Sequence, residues 1–315
     1  MGQCFAPALT KYAPCTDLNN EVSNSGSVPK FTLTYKPTTD ALVYFTYSKG
    51  FRPGGVNRVG AGTPAAEYAA DYLQNYELGW KTTWLNHHLR WNGALFWENW
   101  DDFQFSFLVP PSITAVGNAG NATIKGLENT LEWAATDHLT VSTSMTFLDG
   151  YLTQNYCGIG LTTNCPTERT YYAFDFPGAV KAGGEYVWIG PQAPTGTNLP
   201  VAPKFKGNIV TRYTFGPIND WSPFTQAAFV YQSQTSPNLI VPSALVIGNM
   251  PAYGLLDMSA GADNGKMSVQ LTVINVTDKR AQISRFVETN PQADNQVYIA
   301  PSQPRTVSLT FWQRF

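Results

Sequence analysis

The four cysteines are the side chains of this sequence best suited to covalent chemistry. They form two local pairs, Cys4 with Cys15 and Cys157 with Cys165, and neither spacing resembles a zinc-binding motif. No histidine lies near enough in the sequence to complete such a motif. We therefore predict two local disulfide bonds formed in an oxidising compartment, and we expect no metal and no other cofactor.

The histidines and carboxylates give no sign of a catalytic centre. His87, His88 and His138 all fall in short predicted turns, where an adjacent pair is more often solvated than bound to a metal. The sequence contains no phosphate-binding glycine loop, no Ser/His/Asp arrangement and no nucleotide-binding fingerprint. We predict that the chain is not an enzyme.

The composition indicates a protein built from strands with a large apolar surface. Charged residues make up only 13% of the 315 positions, against ~25% in typical globular domains. Aromatic residues reach 14%, and the mean hydropathy is −0.19. No segment approaches the ~18 apolar residues that a membrane-spanning helix needs. The net charge of −2 gives no electrostatic reason to expect nucleic acid as a partner.

Apolar and polar residues alternate along most of the chain, which is the period of a β-strand. In 267–273, for example, Met267, Val269 and Leu271 alternate with serine, glutamine and threonine. Several of these segments are ten or more residues long, and a tilted membrane strand needs ~9–11. Eleven strands are predicted, near 30–36, 41–49, 73–85, 88–108, 122–135, 138–151, 203–215, 221–233, 252–262, 266–274 and 305–315.

The connections between these strands alternate between short turns and long loops. The short turns are Lys36–Asp40, Asn86–His88, Thr136–His138, Gly216–Asp220 and Asp263–Lys266. The long segments are 50–72, 109–121, 152–202, 234–251 and 275–304, and 152–202 has room for a small hairpin of its own. This alternation predicts an all-β, antiparallel up-and-down transmembrane barrel with short periplasmic turns and long extracellular loops. Both cysteine pairs then fall on the long-loop side, and no domain boundary divides residues 1–315.

The alternation also assigns side chains to the two faces of the predicted sheet. Odd positions of 89–107 and even positions of 72–84 are expected to face lipid. The predicted lumen wall is Glu77, Lys81, Arg90, Glu98, Glu128 and Glu132, with Asp102, Lys206, Arg212 and Asp257 following the same parity. A hydrated polar wall and a wall that contacts a ligand or an inserted domain are both open readings. Aromatic residues near short turns predict a periplasmic girdle of Trp84, Trp91, Trp133, Phe215 and Trp221.

Two cations lie where a predicted strand passes into a long loop. Lys49 and Arg52, within YSKGFRPGGVN, are candidates to contact an anionic ligand or the phosphates of lipopolysaccharide. The alternative is a pair of charges that only solvate the rim of the loop.

The C-terminal segment PRTVSLTFWQRF places Val307, Leu309, Phe311 and Phe315 on one apolar face and ends on an aromatic residue. It resembles the C-terminal signal of outer-membrane barrels that the barrel-assembly machinery recognises. Gln313 departs from that pattern, which usually has an apolar residue there. An ordinary amphipathic edge strand is the alternative.

Five further segments, in order, resemble the barrel of TonB-dependent receptors. They are KPTTDALVYFTYSKGFRPGGVN at 36–57, NYELGWKTTWLNHHLRWNGALFWENWDDFQ at 75–104, NAGNATIKGLE at 118–128, LPVAPKFKGNIVTRYTF at 199–215 and NVTDKR at 275–280. The resemblance implies a Gram-negative outer-membrane protein that takes up scarce nutrients such as ferric siderophores. A complete barrel of this kind has about 22 strands, so residues 1–315 are expected to be the C-terminal part of the barrel domain.

The resemblance also implies which partners the chain needs. Its N-terminus shows no signal peptide, plug domain or TonB box, so the chain is expected to be a truncated fragment that is inactive alone. Contact with the TonB complex would then occur only through the missing plug, possibly supplied by a separately encoded N-terminal half. Outer-membrane lipid, lipopolysaccharide and the barrel-assembly machinery are the other expected partners. A porin-like channel and a soluble, secreted all-β carbohydrate-binding module are the alternative functions.

Overall fold

A computed structural model describes residues 22–57, 67–109, 113–158, 164–173, 175–287 and 296–314, and these residues fold mainly as strands. In chain order the elements are β1 (Lys30–Thr38), β2 (Ala41–Arg52), β3 (Gly55–Val56), β4 (Glu67–Tyr68), β5 (Asp71–Trp84), β6 (Leu89–Asp101), β7 (Gln104–Val109), β8 (Ile113–Asn118), β9 (Ala122–Ala134), β10 (Leu139–Leu152), β11 (Arg169–Tyr172), β12 (Val180–Ala182), β13 (Glu185–Ile189), β14 (Phe205–Thr214), β15 (Ser222–Gln232), α1 (Val241–Ile247), β16 (Tyr253–Asp263), β17 (Met267–Ile274), β18 (Gln282–Phe286), β19 (Tyr298–Pro301) and β20 (Thr306–Gln313). None of the helical structure in these residues reaches the length and apolar character that a membrane-crossing helix requires.

The long strands form one eleven-stranded antiparallel sheet, as the sequence predicts. Its order is β1-β2-β5-β6-β9-β10-β14-β15-β16-β17-β20, so each long strand pairs with the next long strand along the chain. Short turns join β1 to β2, β5 to β6, β9 to β10, β14 to β15 and β16 to β17, and longer segments make the other connections. The predicted up-and-down architecture is confirmed, as a partial barrel whose two edges are β1 and β20.

The register separates apolar from polar side chains onto two faces of this sheet. Leu78 lies opposite Leu95, Leu95 opposite Leu127 and Leu127 opposite Phe147. We call the face that carries this row the outer face, and its large apolar side chains are exposed. The alternate positions, which include Glu77, form the inner face. Over 72–84 and over 89–101 the side chains therefore divide between two faces as predicted, and the contact of these faces with lipid and with the lumen stays a prediction.

The predicted strand 88–108 is too long, and this part of the prediction is wrong. β6 ends at Asp101, and Asp102 adopts a left-handed backbone conformation with φ of 53°. The chain then starts a separate hairpin, β7–β8, which buries Phe103, Phe105 and Phe107 instead of presenting them to lipid. The alternation continues across the break because a hairpin strand has the same period of two as the strand before it.

The long connections, which we call the loop layer, contain secondary structure of their own. It consists of the hairpins β3–β4, β7–β8 and β18–β19, the three-stranded sheet β11-β13-β12 in the segment predicted as a long loop, and α1. The buried hydrophobic cluster of the described residues is built largely by this layer, with Phe105, Leu152, Tyr156, Ala193 and Leu239 among its members. The main sheet therefore supplies two exposed faces, and much of the apolar packing lies among the loops.

Candidate functional site

Three carboxylates lie on the inner face, on the adjacent strands β5, β6 and β9. Glu98 lies close enough to Glu77 and Glu128 to interact with both electrostatically. On β2, the Tyr44 hydroxyl donates a hydrogen bond of 2.6 Å to Glu77 Oε1. The Tyr44 ring lies across Gly79, where an added Cβ would come within 2.2 Å of the ring. We call Glu77, Glu98 and Glu128 the inner acidic cluster.

None of these three carboxylates makes an ion pair within the part of the chain that the structure describes. Clustered carboxylates without a cation repel one another, and an incoming positive group relieves that repulsion. The inner acidic cluster is therefore suited to bind a basic group that approaches the inner face.

The other predicted wall residues are spread along the same face. Near the short turns, Arg90 Nη1 lies 2.9 Å from Glu132 Oε2, so these two charges largely satisfy each other. Lys81 lies opposite Leu42 and Asn92. Lys206 lies opposite Thr146. The Arg212 guanidinium is 3.7 Å from the centroid of the Phe224 ring. Asp257 accepts a hydrogen bond from the backbone N–H of Asn275.

Asp102 does not belong to this wall. It occupies the turn between β6 and β7, where its carbonyl oxygen accepts a hydrogen bond from Asn118. The parity that predicted a lumen position for Asp102 ends with β6.

A carboxylate network that no sequence pattern indicates anchors the loop ends of β2 and β5. The buried Asp71 accepts hydrogen bonds from the Arg52 guanidinium, from Trp100 Nε1 at 2.9 Å and from the backbone N–H of Gln104 at 3.2 Å. The Gln104 side chain donates to the carbonyl oxygens of Pro53 and Ala69. The strand register that places Arg52 opposite Asp71 holds this network together.

The two predicted rim cations have different surroundings. Arg52 is paired with Asp71, although about half of its side chain remains exposed. Lys49 is on the outer face, with its ammonium 4.8 Å from the centroid of the Tyr72 ring, and no carboxylate pairs with it among the described residues. Contact of either cation with an anionic ligand stays a prediction.

One of the two predicted disulfides is confirmed. Cys157 and Cys165 are bonded, with Cα atoms 5.8 Å apart, and they lie in the loop layer. Next to this bond, Tyr156 packs edge-on against Phe105 with ring centroids 4.9 Å apart, and burial raises the pKa of the Tyr156 hydroxyl. Burial also raises the pKa of Tyr172, to about 12, although a hydrogen bond with Ser243 acts in the opposite direction. The predicted pair Cys4 and Cys15 lies outside the described residues.

The aromatic residues predicted as a girdle lie near the short turns, as their positions require. Trp84, Trp133 and Phe215 are substantially exposed. Trp84 Nε1 donates to Thr82 Oγ1 at 2.8 Å, and Trp91 Nε1 donates to Asn129 Oδ1 at 3.1 Å, so both indole groups keep a polar partner. Trp221 lies in the turn before β15, in a bridge with Ile218. Their role at a membrane surface stays a prediction.

The residues of the predicted assembly signal lie on the edge strand β20. Val307, Leu309 and Phe311 are all exposed on the outer face, opposite Val273, Leu271 and Val269 of β17. Phe315 lies outside the described residues. Recognition by the barrel-assembly machinery stays a prediction.

A broad antiparallel sheet with one exposed apolar face, one polar face, short turns at one end and structured loops at the other defines the wall of an outer-membrane β-barrel. In the described residues, no group of three or more His, Cys, Asp or Glu side chains is arranged to hold a metal ion. A family model described as "TonB dependent receptor-like, beta-barrel" matches residues 11–276. The chain therefore belongs to the TonB-dependent receptor family, whose barrels lie in the outer membrane.

Similar proteins agree with this membership. The probable TonB-dependent siderophore receptor PiuA of Acinetobacter baumannii is 24% identical over 259 residues, which cover 79% of this chain and 29% of that protein. The crystal structure of PiuA superposes with a TM-score of 0.62 at 20% identity, covering 90% of this chain and 36% of the other. The ferric yersiniabactin uptake receptor FyuA of Yersinia pestis superposes with a TM-score of 0.65 at 16% identity and the same coverage of both chains. The chain thus spans about a third of the length of these relatives.

Proposed function

We propose that this chain forms part of the barrel wall of a TonB-dependent outer-membrane transporter for ferric siderophores. The observation that carries the proposal is the two-faced eleven-stranded sheet, in which a polar inner face carries the inner acidic cluster. Family membership supports a transporter, PiuA is named as a probable siderophore receptor, and FyuA is named as an uptake receptor for ferric yersiniabactin.

The inner acidic cluster gives the proposed wall a specific partner. Glu77, Glu98 and Glu128 present negative charge toward the space that the inner face borders. A plug domain, whether on the same polypeptide or on a separate one, would dock there through basic side chains. The TonB complex would then act on that plug and not on the wall.

Substitution of one carboxylate tests this contact. Glu128→Gln removes one charge and preserves the shape of the side chain, so we expect weaker retention of the plug and faster passive leakage of small solutes. Glu185→Gln is the matched control, because Glu185 is exposed in the loop layer. Equal leakage in both variants and the parent would contradict docking at the inner acidic cluster.

The proposed wall does not transport by itself. β1 and β20 are the edges of the sheet, and unpaired backbone groups in lipid cost several kcal/mol each. Further strands of the same barrel would pair with these edges. We therefore propose that uptake requires this chain together with the remaining strands and the plug.

A chimera tests the proposed function directly. Residues 1–315 replace the corresponding C-terminal part of PiuA, and each part is also produced alone behind a signal peptide. Uptake of radioactive iron is measured with catecholate, hydroxamate and phenolate siderophores, in strains with and without TonB. We expect uptake only by the chimera and only with TonB.

Two outcomes would contradict this account. TonB-dependent uptake by residues 1–315 alone would show that the chain needs no plug and no further strands. A chimera that assembles as a heat-modifiable barrel and passes solutes without TonB would indicate a porin-like channel instead.

A further inference from the structure

A polar cavity lies where the inner face of the sheet meets the long segments that precede β14 and follow β15. Leu148 and Gly150 of β10 line it from the inner face, and Asn198 and Asn249 line it from the two long segments. Its volume is about 340 Å³, which is near the lower end of the ~300–1,000 Å³ range of small-molecule pockets. The cavity therefore suits a single ring with its substituents.

The lining residues divide into a buried set and an exposed set. Gly150, Leu199 and Thr235 are buried. The three carboxamide residues Asn198, Gln234 and Asn249 are exposed. The buried set forms the closed end of the cavity, and the carboxamides lie around its mouth.

Thr235 carries a hydroxyl group that nothing in the described part of the chain satisfies. The residue is only 4% exposed, and its Oγ1 has no hydrogen-bond partner among the described residues. Its backbone is held in place by two hydrogen bonds with Met250. A buried hydroxyl without a partner is unfavourable and uncommon. A polar group that enters the cavity would satisfy it.

The three carboxamides at the mouth are also uncommitted. The side chains of Asn198, Gln234 and Asn249 make no hydrogen bond to any other described residue. The hydroxyls of Ser233 and Ser236, by contrast, already bond to the backbone. Each carboxamide offers two donors and one acceptor. The free groups of the cavity therefore match a ligand whose own groups both donate and accept.

The charge of the lining selects a neutral ligand. Among the described residues that line the cavity, Lys204 alone is charged, and its ammonium lies 3.5 Å from the Asp149 carboxylate. No carboxylate lines the cavity to attract a cation, and the one ammonium group is already paired. Hydroxyl groups on a ring are neutral, and each of them donates one hydrogen bond and accepts others.

We propose that this cavity binds one neutral sugar ring of the molecule that enters the barrel. The ring hydroxyls exchange hydrogen bonds with Asn198, Gln234 and Asn249, one of them reaches Thr235 Oγ1, and the apolar side of the ring lies against Leu199. The inference rests on the proposed function, because it assigns the sugar to the transported molecule.

The cavity is close to the proposed plug contact without overlapping it. Ile124 of β9 lies between Gly150 and Glu98 in the register of the sheet. A sugar in the cavity and a plug at the inner acidic cluster would therefore be bound side by side.

Substitutions of two free groups test the site. Thr235→Val keeps the shape of the side chain and removes the hydroxyl, and Gln234→Ala removes one carboxamide. Each is expected to weaken sugar binding about threefold to tenfold, the usual contribution of one hydrogen bond. Thr235→Ser retains the hydroxyl and should keep the parental affinity. Gln154→Ala is the matched control, because Gln154 is exposed in the segment 152–202 and lies outside the cavity.

Binding is measured on the chimera with PiuA in detergent, by titration in saturation-transfer NMR. The probes are the methyl glycosides of glucose, galactose and mannose, with glucose 6-phosphate as the charged comparison. Heat-modifiable gel mobility verifies that each variant is folded. We expect at least one neutral glycoside to bind, and the added phosphate to give no gain in affinity.

Three results would overturn the site: no glycoside bound by the parent chimera, equal affinity of the parent, Thr235→Val and Gln234→Ala, or tighter binding of glucose 6-phosphate than of the neutral glycosides. Iron uptake by the same chimera separates this inference from the proposed function. Sugar binding that depends on Thr235 in a chimera without TonB-dependent uptake would contradict the transport proposal and leave the sugar site established.

Discussion

Asp71 accepts hydrogen bonds from three residues at the point where β5 leaves the loop layer. The sequence predicted a role for Arg52 at this rim, because Arg52 lies next to glycines and a proline where a strand passes into a long loop. It did not predict that Arg52 pairs with Asp71, because the prediction placed Asp71 at the end of that loop. Pairing between residues 19 positions apart depends on the strand register, and alternation alone does not fix that register.

Asp71→Asn tests the importance of this network. The amide has the shape of the carboxylate but no charge, and it offers one accepting oxygen instead of two to the donors of Arg52, Trp100 and Gln104. We expect a loss of about 1–3 kcal/mol in the free energy of unfolding. Denaturant titration of the folded barrel, followed by tryptophan fluorescence, measures it.

Asp137→Asn is the control for this substitution, because Asp137 is exposed in the short turn between β9 and β10. An unfolding curve for Asp71→Asn that coincides with that of Asp137→Asn would show that the network contributes nothing.

At the scale of elements, the sequence located the eleven long strands because each buries or exposes side chains with a period of two. The strand prediction failed at β7, which has the same period of two but leaves the main sheet after Asp102. The sequence also located the long segments of the loop layer without predicting most of the strands and the helix within them. Packing among Phe105, Tyr156 and Leu239 joins three separate long segments, and no local pattern encodes such contacts.

Close strand packing predicts that one glycine of β9 is sensitive to substitution. A Cβ at Gly126 would lie 2.4 Å from the backbone oxygen of Phe147 and 2.5 Å from the ring of Phe96. Gly126→Ala should therefore destabilise the sheet by about 1–3 kcal/mol. The matched change is Gly50→Ala on β2, where no atom lies within 4 Å of an added Cβ. The yield of heat-modifiable barrel compares the two, and equal yields would show that the strands adjust without cost.

The disulfide in the loop layer predicts a local effect. Replacing Cys157 and Cys165 with serine removes a cross-link between residues separated by 8 positions, which the chain-entropy model values at about 2–3 kcal/mol. We expect faster proteolysis of the loop layer and an unchanged main sheet, because the bond joins no long strand to another. Limited proteolysis of whole cells measures the first effect and heat-modifiable mobility the second. Loss of the folded sheet in the double variant would show that the loop layer is needed for barrel assembly.

At the scale of the whole molecule, the proposed function depends on the two different faces of the sheet. The sequence predicted both faces because successive side chains of a strand point to opposite sides, and apolar and polar residues alternate accordingly. It did not reveal that Glu77, Glu98 and Glu128 come together, since they lie on three strands whose relative register comes from pairing. The proposed transport and plug contact both require that the outer face meets lipid and that the inner face meets water or protein.

Spin labels at adjacent positions of β6 test this requirement most directly. Leu95→Cys carries a label on the outer face, and Ala94→Cys carries one on the inner face, opposite Glu128. The protein is labelled in outer-membrane vesicles, and the accessibility of each label to oxygen and to a water-soluble nickel chelate is measured. The account predicts that the label at 95 collides mainly with oxygen and the label at 94 collides more with the nickel chelate. Equal exposure of both labels to the nickel chelate, or the reverse pattern, would contradict it.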